Sequence, residues 1–205
     1  ETKDLFIDKM INELHDYDIY AFDKLLNTKS KINEKKIEIK KTYNLIDNFK
    51  NLKSLLNNIK KQEFVSIDLE TTNLDPNLAE IVGISISFKK NTGYYIPFLY
   101  NSKSIRAFES KDVLKLIKPI LEFSGIKYIG QNIKYDALIL KRNGIDLSNI
   151  FFDTMIAESL ISPEKNSYKL DNLSKDYLNY EMVPIESLIG EKSNQVSMDT
   201  VSLDD

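Results

Sequence analysis

Cysteine is absent from the 205 residues and histidine occurs once, as His15. Without cysteine there is no disulfide, no thiolate nucleophile and no cysteine-based zinc site, which fits a reducing compartment. A single histidine far from any other polar cluster argues against a histidine-dependent triad or a multi-histidine metal centre. Long hydrophobic runs are missing too. The longest apolar stretches are too short to cross a bilayer, and no charged-then-apolar signal segment opens the chain. A charge excess is also lacking, since the formal net charge is -3. Any nucleic-acid partner therefore has to be held by local basic groups or by bound metal. What is present is 42% apolar content, ordinary for one soluble globular domain with a sizeable core and room for an appendage. The first residue is glutamate rather than methionine, so the chain is expected to be a piece of something longer.

The texture changes near residue 36. Residues 3–26 carry apolar side chains at helical spacing, and 28-TKSKINEKK-36 is a charged stretch typical of a solvated linker. The expected division is an N-terminal helical segment and linker over 1–36 and a second domain over 37–205. From residue 37 the order is a strand-like IEIKKTYNLI, a helix over NFKNLKSLLNNIKK, and a strand at 64-FVSIDLE-70. The alternating strand 80-EIVGISISF-88 is expected to turn at 91-NTG-93 into 94-YYIPF-98 as a hairpin. A helix over 111–123 follows, with Ser110 as N-cap and a kink or stop at Pro119. A short strand 127-KYIG-130 precedes a second helix, in which Asn132 is the N-cap, Asp136 falls in the second turn, and Asn143-Gly144 is the stop. After a strand at 149-NIFFD-153, Asp153 is expected to cap TMIAESLI and Ser167 to cap 168-YKLDNLSKDYL-178. Residues 197–205 read as the opening of another helix. Strands first and alternating strand and helix afterwards imply an α/β fold, a mixed sheet covered by helices.

Two acids, Asp68 and Glu70, sit inside the apolar run 64-FVSIDLETTNLD-75. In an extended chain they share a face with Phe64 and Ser66, while Val65, Ile67 and Leu69 face the other way. Crowding two carboxylates on one face costs repulsion and desolvation unless a cation sits between them. Hard oxygen ligands suit magnesium or manganese, and two such ions roughly 3.5–4 Å apart can cleave a phosphodiester. The plainer alternative is that both acids make caps and surface ion pairs.

A second cluster, 130-GQNIKYDALILKRNG-144, places Asn132, Tyr135 and Asp136 at the start of a helix after a short strand. With 66-SIDLETTNLD-75 and 150-IFFDTMIAESLI-161, it resembles the 3′–5′ exonuclease domain of bacterial-type DNA polymerase I, from about residue 37 to the end. The resemblance implies a ribonuclease H-like fold and a proofreading exonuclease that removes mispaired 3′-terminal nucleotides. It implies that Asp68, Glu70 and Asp136 are catalytic and hold two divalent cations, Mg²⁺ or Mn²⁺. Leu74 would pack on the terminal base, with Gln131, Asn132 and Tyr135 lining the same pocket. Asp153 matches a further family acid, for which capping and catalysis both stand open.

The implied partners are a single-stranded or frayed DNA 3′ end, a polymerase domain C-terminal in the same parent chain and a 5′-nuclease domain N-terminal to it. The implied setting is the bacterial cytoplasm or a DNA-containing organelle, with no membrane. The family's third motif, a tyrosine four residues before an aspartate, is expected a few residues beyond Asp205, so residues 1–205 alone are expected to be weakly active. Ile185 and Ser167 stand where the family tends to place an aromatic and a basic residue, which loosens the grip on single strands. Two other readings remain open, a catalytically defunct structural module of a polymerase and a ribonuclease D-like RNA-trimming enzyme.

Overall fold

The computed structural model describes residues 41–98, 108–190 and 195–202. The expected helix over 3–26, the linker over 28–36 and the boundary at residue 36 lie outside them. A six-stranded sheet organises the rest. Its strands are β1 (Thr42–Leu45), β2 (Phe64–Thr71), β3 (Ile81–Lys89), β4 (Thr92–Pro97), β5 (Lys127–Gly130) and β6 (Ile150–Asp153), in the order β1-β4-β3-β2-β5-β6. The helices are α1 (Phe49–Ile59), α2 (Ser110–Leu121), α3 (Ile133–Arg142), α4 (Thr154–Ile161), α5 (Leu170–Leu178) and α6 (Glu186–Ile189), and a 3-10 turn spans Met198–Thr200.

The sheet is mixed, as the element order predicts. β2, β3 and β4 form an antiparallel meander, whereas β1 joins β4, and β5 joins β2 and β6, in parallel. Parallel neighbours need crossovers, and α3 carries the chain from β5 to β6. The hairpin turn is Lys90-Asn91 rather than Asn-Thr-Gly, because Asn91 takes the left-handed backbone (φ 59°) and frees Thr92 to start β4. Asparagine tolerates that conformation through its short polar side chain.

One face of the sheet is apolar and covered. Val65, Ile67 and Leu69 of β2 are buried with Ile84 and Ile86 of β3 and Ile96 of β4. They meet Leu52, Leu55, Leu56 and Ile59 of α1, Val113, Ile117, Ile120 and Leu121 of α2, and Ile139 and Leu140 of α3 in a single cluster. Each such side chain contributes about 1.5–3 kcal/mol. That burial explains why α2 continues through Pro119 to Leu121 instead of ending there. Only two residues follow the proline, the backbone bond from Glu122 to the Lys118 carbonyl resumes at 3.0 Å, and Ile120 and Leu121 anchor the last turn in the core. The helix starts at Ser110, with Glu109 at the cap position and no side-chain cap bond, so Ser110 is not the N-cap. α5 starts at Leu170, and Ser167 lies outside it, accepting from Lys169 N at 3.4 Å instead of capping. The anticipated C-terminal helix is a single 3-10 turn that ends by Val201 and lies beside β2. Among the described residues no helix is long and apolar enough to cross a membrane.

Candidate active site

The opposite face of β2 carries the acids. Phe64, Ser66 and Asp68 are exposed and Glu70 is half-buried, in strict alternation with the buried Val65, Ile67 and Leu69. Asp68 pairs across β3 with Ser85 and Glu70 with Gly83, and the register slips immediately after Glu70. The extra residue there is Val82 of β3, so the ladder is disrupted one residue before β2 gives way to a loop. A cleft of about 510 Å³ runs along this face, with Asp68, Ser66, Ser85, Ser87 and Tyr95 in its walls.

Asp136 comes to the same place from α3. It is the fourth residue of that helix, in its first turn rather than the second, and is 2% exposed. Its Oδ1 accepts a hydrogen bond from the Leu69 backbone N–H at 3.1 Å, which docks the carboxylate onto β2 between the two strand acids. Burial, and next the charge of Asp68, push its pKa up to about 7 despite that hydrogen bond. Burial raises Asp68, and burial followed by the Asp68 charge raises Glu70. Asp68 has an open rim, yet the cleft walls around it displace enough water to disfavour its charged form. All three carboxyls thus resist ionisation, through burial first and, for Glu70 and Asp136, through the charge of Asp68 as well.

The start of α3 is fixed by Asp153, the last residue of β6. Its Oδ1 accepts from Asn132 N at 3.0 Å and from Met155 N at 2.9 Å, and its Oδ2 accepts from Ile133 N at 2.9 Å. Ile156 N adds a fourth bond at 3.3 Å. One carboxylate therefore caps both α3 and α4, the four donors being the otherwise unpaired N–H groups of two helix starts. Asn132 occupies the cap position of α3 but makes no side-chain cap bond, because its left-handed backbone (φ 54°) turns the side chain away. Asp153 thus takes the role expected of Asn132 as well as its own.

A loop over residues 72–80 leaves β2 after the acids and is pinned by α3 at two points. The Tyr135 hydroxyl pairs with Thr71 Oγ1 at 2.8 Å and donates to the Asn73 carbonyl. The Arg142 guanidinium donates to the carbonyls of Pro76, at 2.9 Å, and Ala79, and meets Glu80 at 3.2 Å. At the tip of this tethered loop Leu74 is 94% exposed, an apolar side chain held in water by a fixed backbone. Gln131 is engaged elsewhere, its amide bonding to the Tyr168 carbonyl at 2.7 Å and to the Thr154 hydroxyl. The structure thus brings Asp68, Glu70 and Asp136 together, places Tyr135 beside the loop that bears Leu74, and ties Gln131 and Asn132 into the α3–α4 junction.

Among the described residues no three acidic or imidazole side chains converge closely enough to hold an ion as they stand. The donor chemistry still fits a hard divalent cation. All three groups are carboxylates, and the burial and mutual charge that raise their pKa values are the forces a cation would offset. Arg142 escapes a motif-based reading, although its position seven residues after Tyr135 puts both on one helix face two turns apart. Tyr95 gives no signal beyond strand propensity.

The family model described as 3′–5′ exonuclease matches residues 43–201. The chain is 39% identical over 143 residues to the DNA polymerase I of Borreliella burgdorferi, covering 70% of this chain and 15% of that protein. The DNA polymerase I of Pseudomonas aeruginosa is 26% identical over 152 residues, 73% of this chain and 17% of that one. The chain thus spans only a small part of the length of these relatives. Escherichia coli RNase D superposes with a TM-score of 0.54 at 16% identity, over 71% of this chain and 36% of that one. The fold they share is the ribonuclease H-like one.

Proposed function

Because the chain belongs to the 3′–5′ exonuclease family of DNA polymerase I, we propose that it removes mispaired nucleotides from DNA 3′ ends during replication and repair. The observation that carries this reading is Asp136, a buried carboxyl in the first turn of α3, docked on β2 between Asp68 and Glu70. Asp68, Glu70 and Asp136 would hold two divalent cations, Mg²⁺ or Mn²⁺, which would supply activation of water and neutralisation of charge on the leaving oxygen.

The chain's own groups do the rest. Leu74 presents an apolar face to the terminal base, and Tyr135 fixes the loop that carries it while its ring flanks the same pocket. Gln131 and Asn132 keep the beginning of α3 in register with β6, so that Asp136 stays opposite β2. A terminal nucleotide has to leave its partner strand to reach Leu74, so single-stranded and frayed ends are the substrates. With a net charge of -3, the domain repels phosphate unless cations are bound, and DNA binding is expected to vanish in chelator. A polymerase domain C-terminal and a 5′-nuclease domain N-terminal in the same parent chain are the proposed partners, in the compartment that holds the genome.

Manganese titration tests the site. The chain should show saturable binding that the double substitution Asp68→Ala, Glu70→Ala abolishes, and bound metal should raise the unfolding temperature of the wild type alone. Undiminished binding in the double variant would remove these acids from the site. Metal binding without release of any nucleotide by the full reading frame would favour a defunct structural module, and release confined to RNA would favour the ribonuclease D-like reading.

A further inference from the structure

Tyr95 of β4 lies on the acidic face and is absent from the motifs that suggested the site. Its position is unusual. Tyr95 pairs with Ser85, and Ser85 pairs with Asp68, so the three stand on one rung of the sheet. The ring does not stay on that rung. It lies along β3 over Gly83, so closely that a β-carbon there would overlap the phenol oxygen and the ring edge. Gly83 is the residue opposite Glu70. A glycine in the interior of a strand weakens it and marks a close approach, and here the approaching group is a phenol extended across β3 toward the second acid of β2.

We infer that Tyr95 is a positioning residue for the metal site, its hydroxyl donating to the Glu70 carboxylate and so orienting that ligand toward a divalent cation. Two further observations fit. The phenol is half-buried and lines the same cleft as Asp68. Glu70 also stands on the last rung before the register shift, at which Val82 of β3 has no partner on β2.

This inference rests on the metal-site reading above, and one experiment separates the two. Manganese affinity of wild type, Tyr95→Phe and Gly83→Ala is measured by titration, together with thermal unfolding and with kcat and KM for nucleotide release by the full reading frame. Tyr95→Phe keeps the ring over Gly83 and loses only the hydroxyl. Manganese binding should weaken by about 10–100-fold, as expected when an outer hydrogen bond to a ligand is removed. Unfolding of the metal-free protein should be unchanged, KM for DNA should hold, and activity should return at higher manganese. Gly83→Ala, which displaces the ring, should weaken manganese binding likewise. Wild-type affinity in Tyr95→Phe, with the wild type itself binding manganese, would overturn the role of Tyr95 alone. A wild type that binds no manganese would overturn the metal site and this inference with it.

Discussion

Replacing Asp136 with asparagine should stabilise the metal-free protein at neutral pH while strongly slowing nucleotide release. The folded chain holds the Asp136 proton up to about 7, against an ordinary value of 3.8. Between those two pH values the folded state binds more protons than the unfolded one, so stability falls as pH rises through the window and the loss is complete above it. Asp68 and Glu70, raised in the same direction, steepen that fall. Asparagine carries no charge and keeps an oxygen for the Leu69 N–H, so the variant escapes the penalty. A shift of roughly three pKa units corresponds to about 4 kcal/mol as an upper figure. Urea unfolding in chelator should show the gain at pH 8 and little or none near pH 4. A gain of the same size at both pH values would mean that the charge of Asp136 is not its source. In magnesium the same variant should release nucleotides at least on the order of 10²-fold more slowly, the scale of losing one preorganised charge-stabilising group. A side chain that costs stability in order to stand where it does is the pattern of a functional site.

Asp153→Ala should produce the largest loss of stability. Four backbone N–H groups at two helix starts depend on this carboxylate. A lost cap costs about 1 kcal/mol per helix, up to roughly 2, so the expected loss is about 2–4 kcal/mol by urea or thermal unfolding. Asp153→Asn should recover part of it through its remaining carbonyl. An Asp153→Ala protein that melts with the wild type would show that the caps are dispensable. The effect should reach the site as well, because α3 begins on Asp153 and carries Asp136 three residues after its own start.

Much of this was legible before any coordinates. The acids of β2 stand out because a strand has a period of two, so Val65, Ile67 and Leu69 had to face away from Asp68 and Glu70 whatever the sheet order. The element order announced a mixed sheet covered by helices, whereas the strand order itself came only with the structure. What stayed hidden depends on residues distant in sequence. The depth of Asp136 comes from the Leu69 backbone, 67 residues earlier, and no helical pattern reveals it. The cap of α3 comes from β6 rather than from Asn132, since a local cap signal cannot show that another strand end already supplies the acceptor. Pro119 read as a break because its missing N–H is visible in the sequence, whereas the core contacts of Ile120 and Leu121 that carry the helix past it are not. Tyr95 looked like any aromatic of a hairpin until Gly83 showed where its ring lies.

A 5′-labelled primer carrying either a mispaired or a paired 3′ nucleotide, given in magnesium to the full reading frame and to its Asp68→Ala, Glu70→Ala variant, decides whether these acids remove mispaired nucleotides. The prediction is stepwise shortening from the 3′ end, faster for the mispaired primer, absent in chelator and absent in the variant. Shortening that persists in the double variant, or that prefers the paired end, would contradict it.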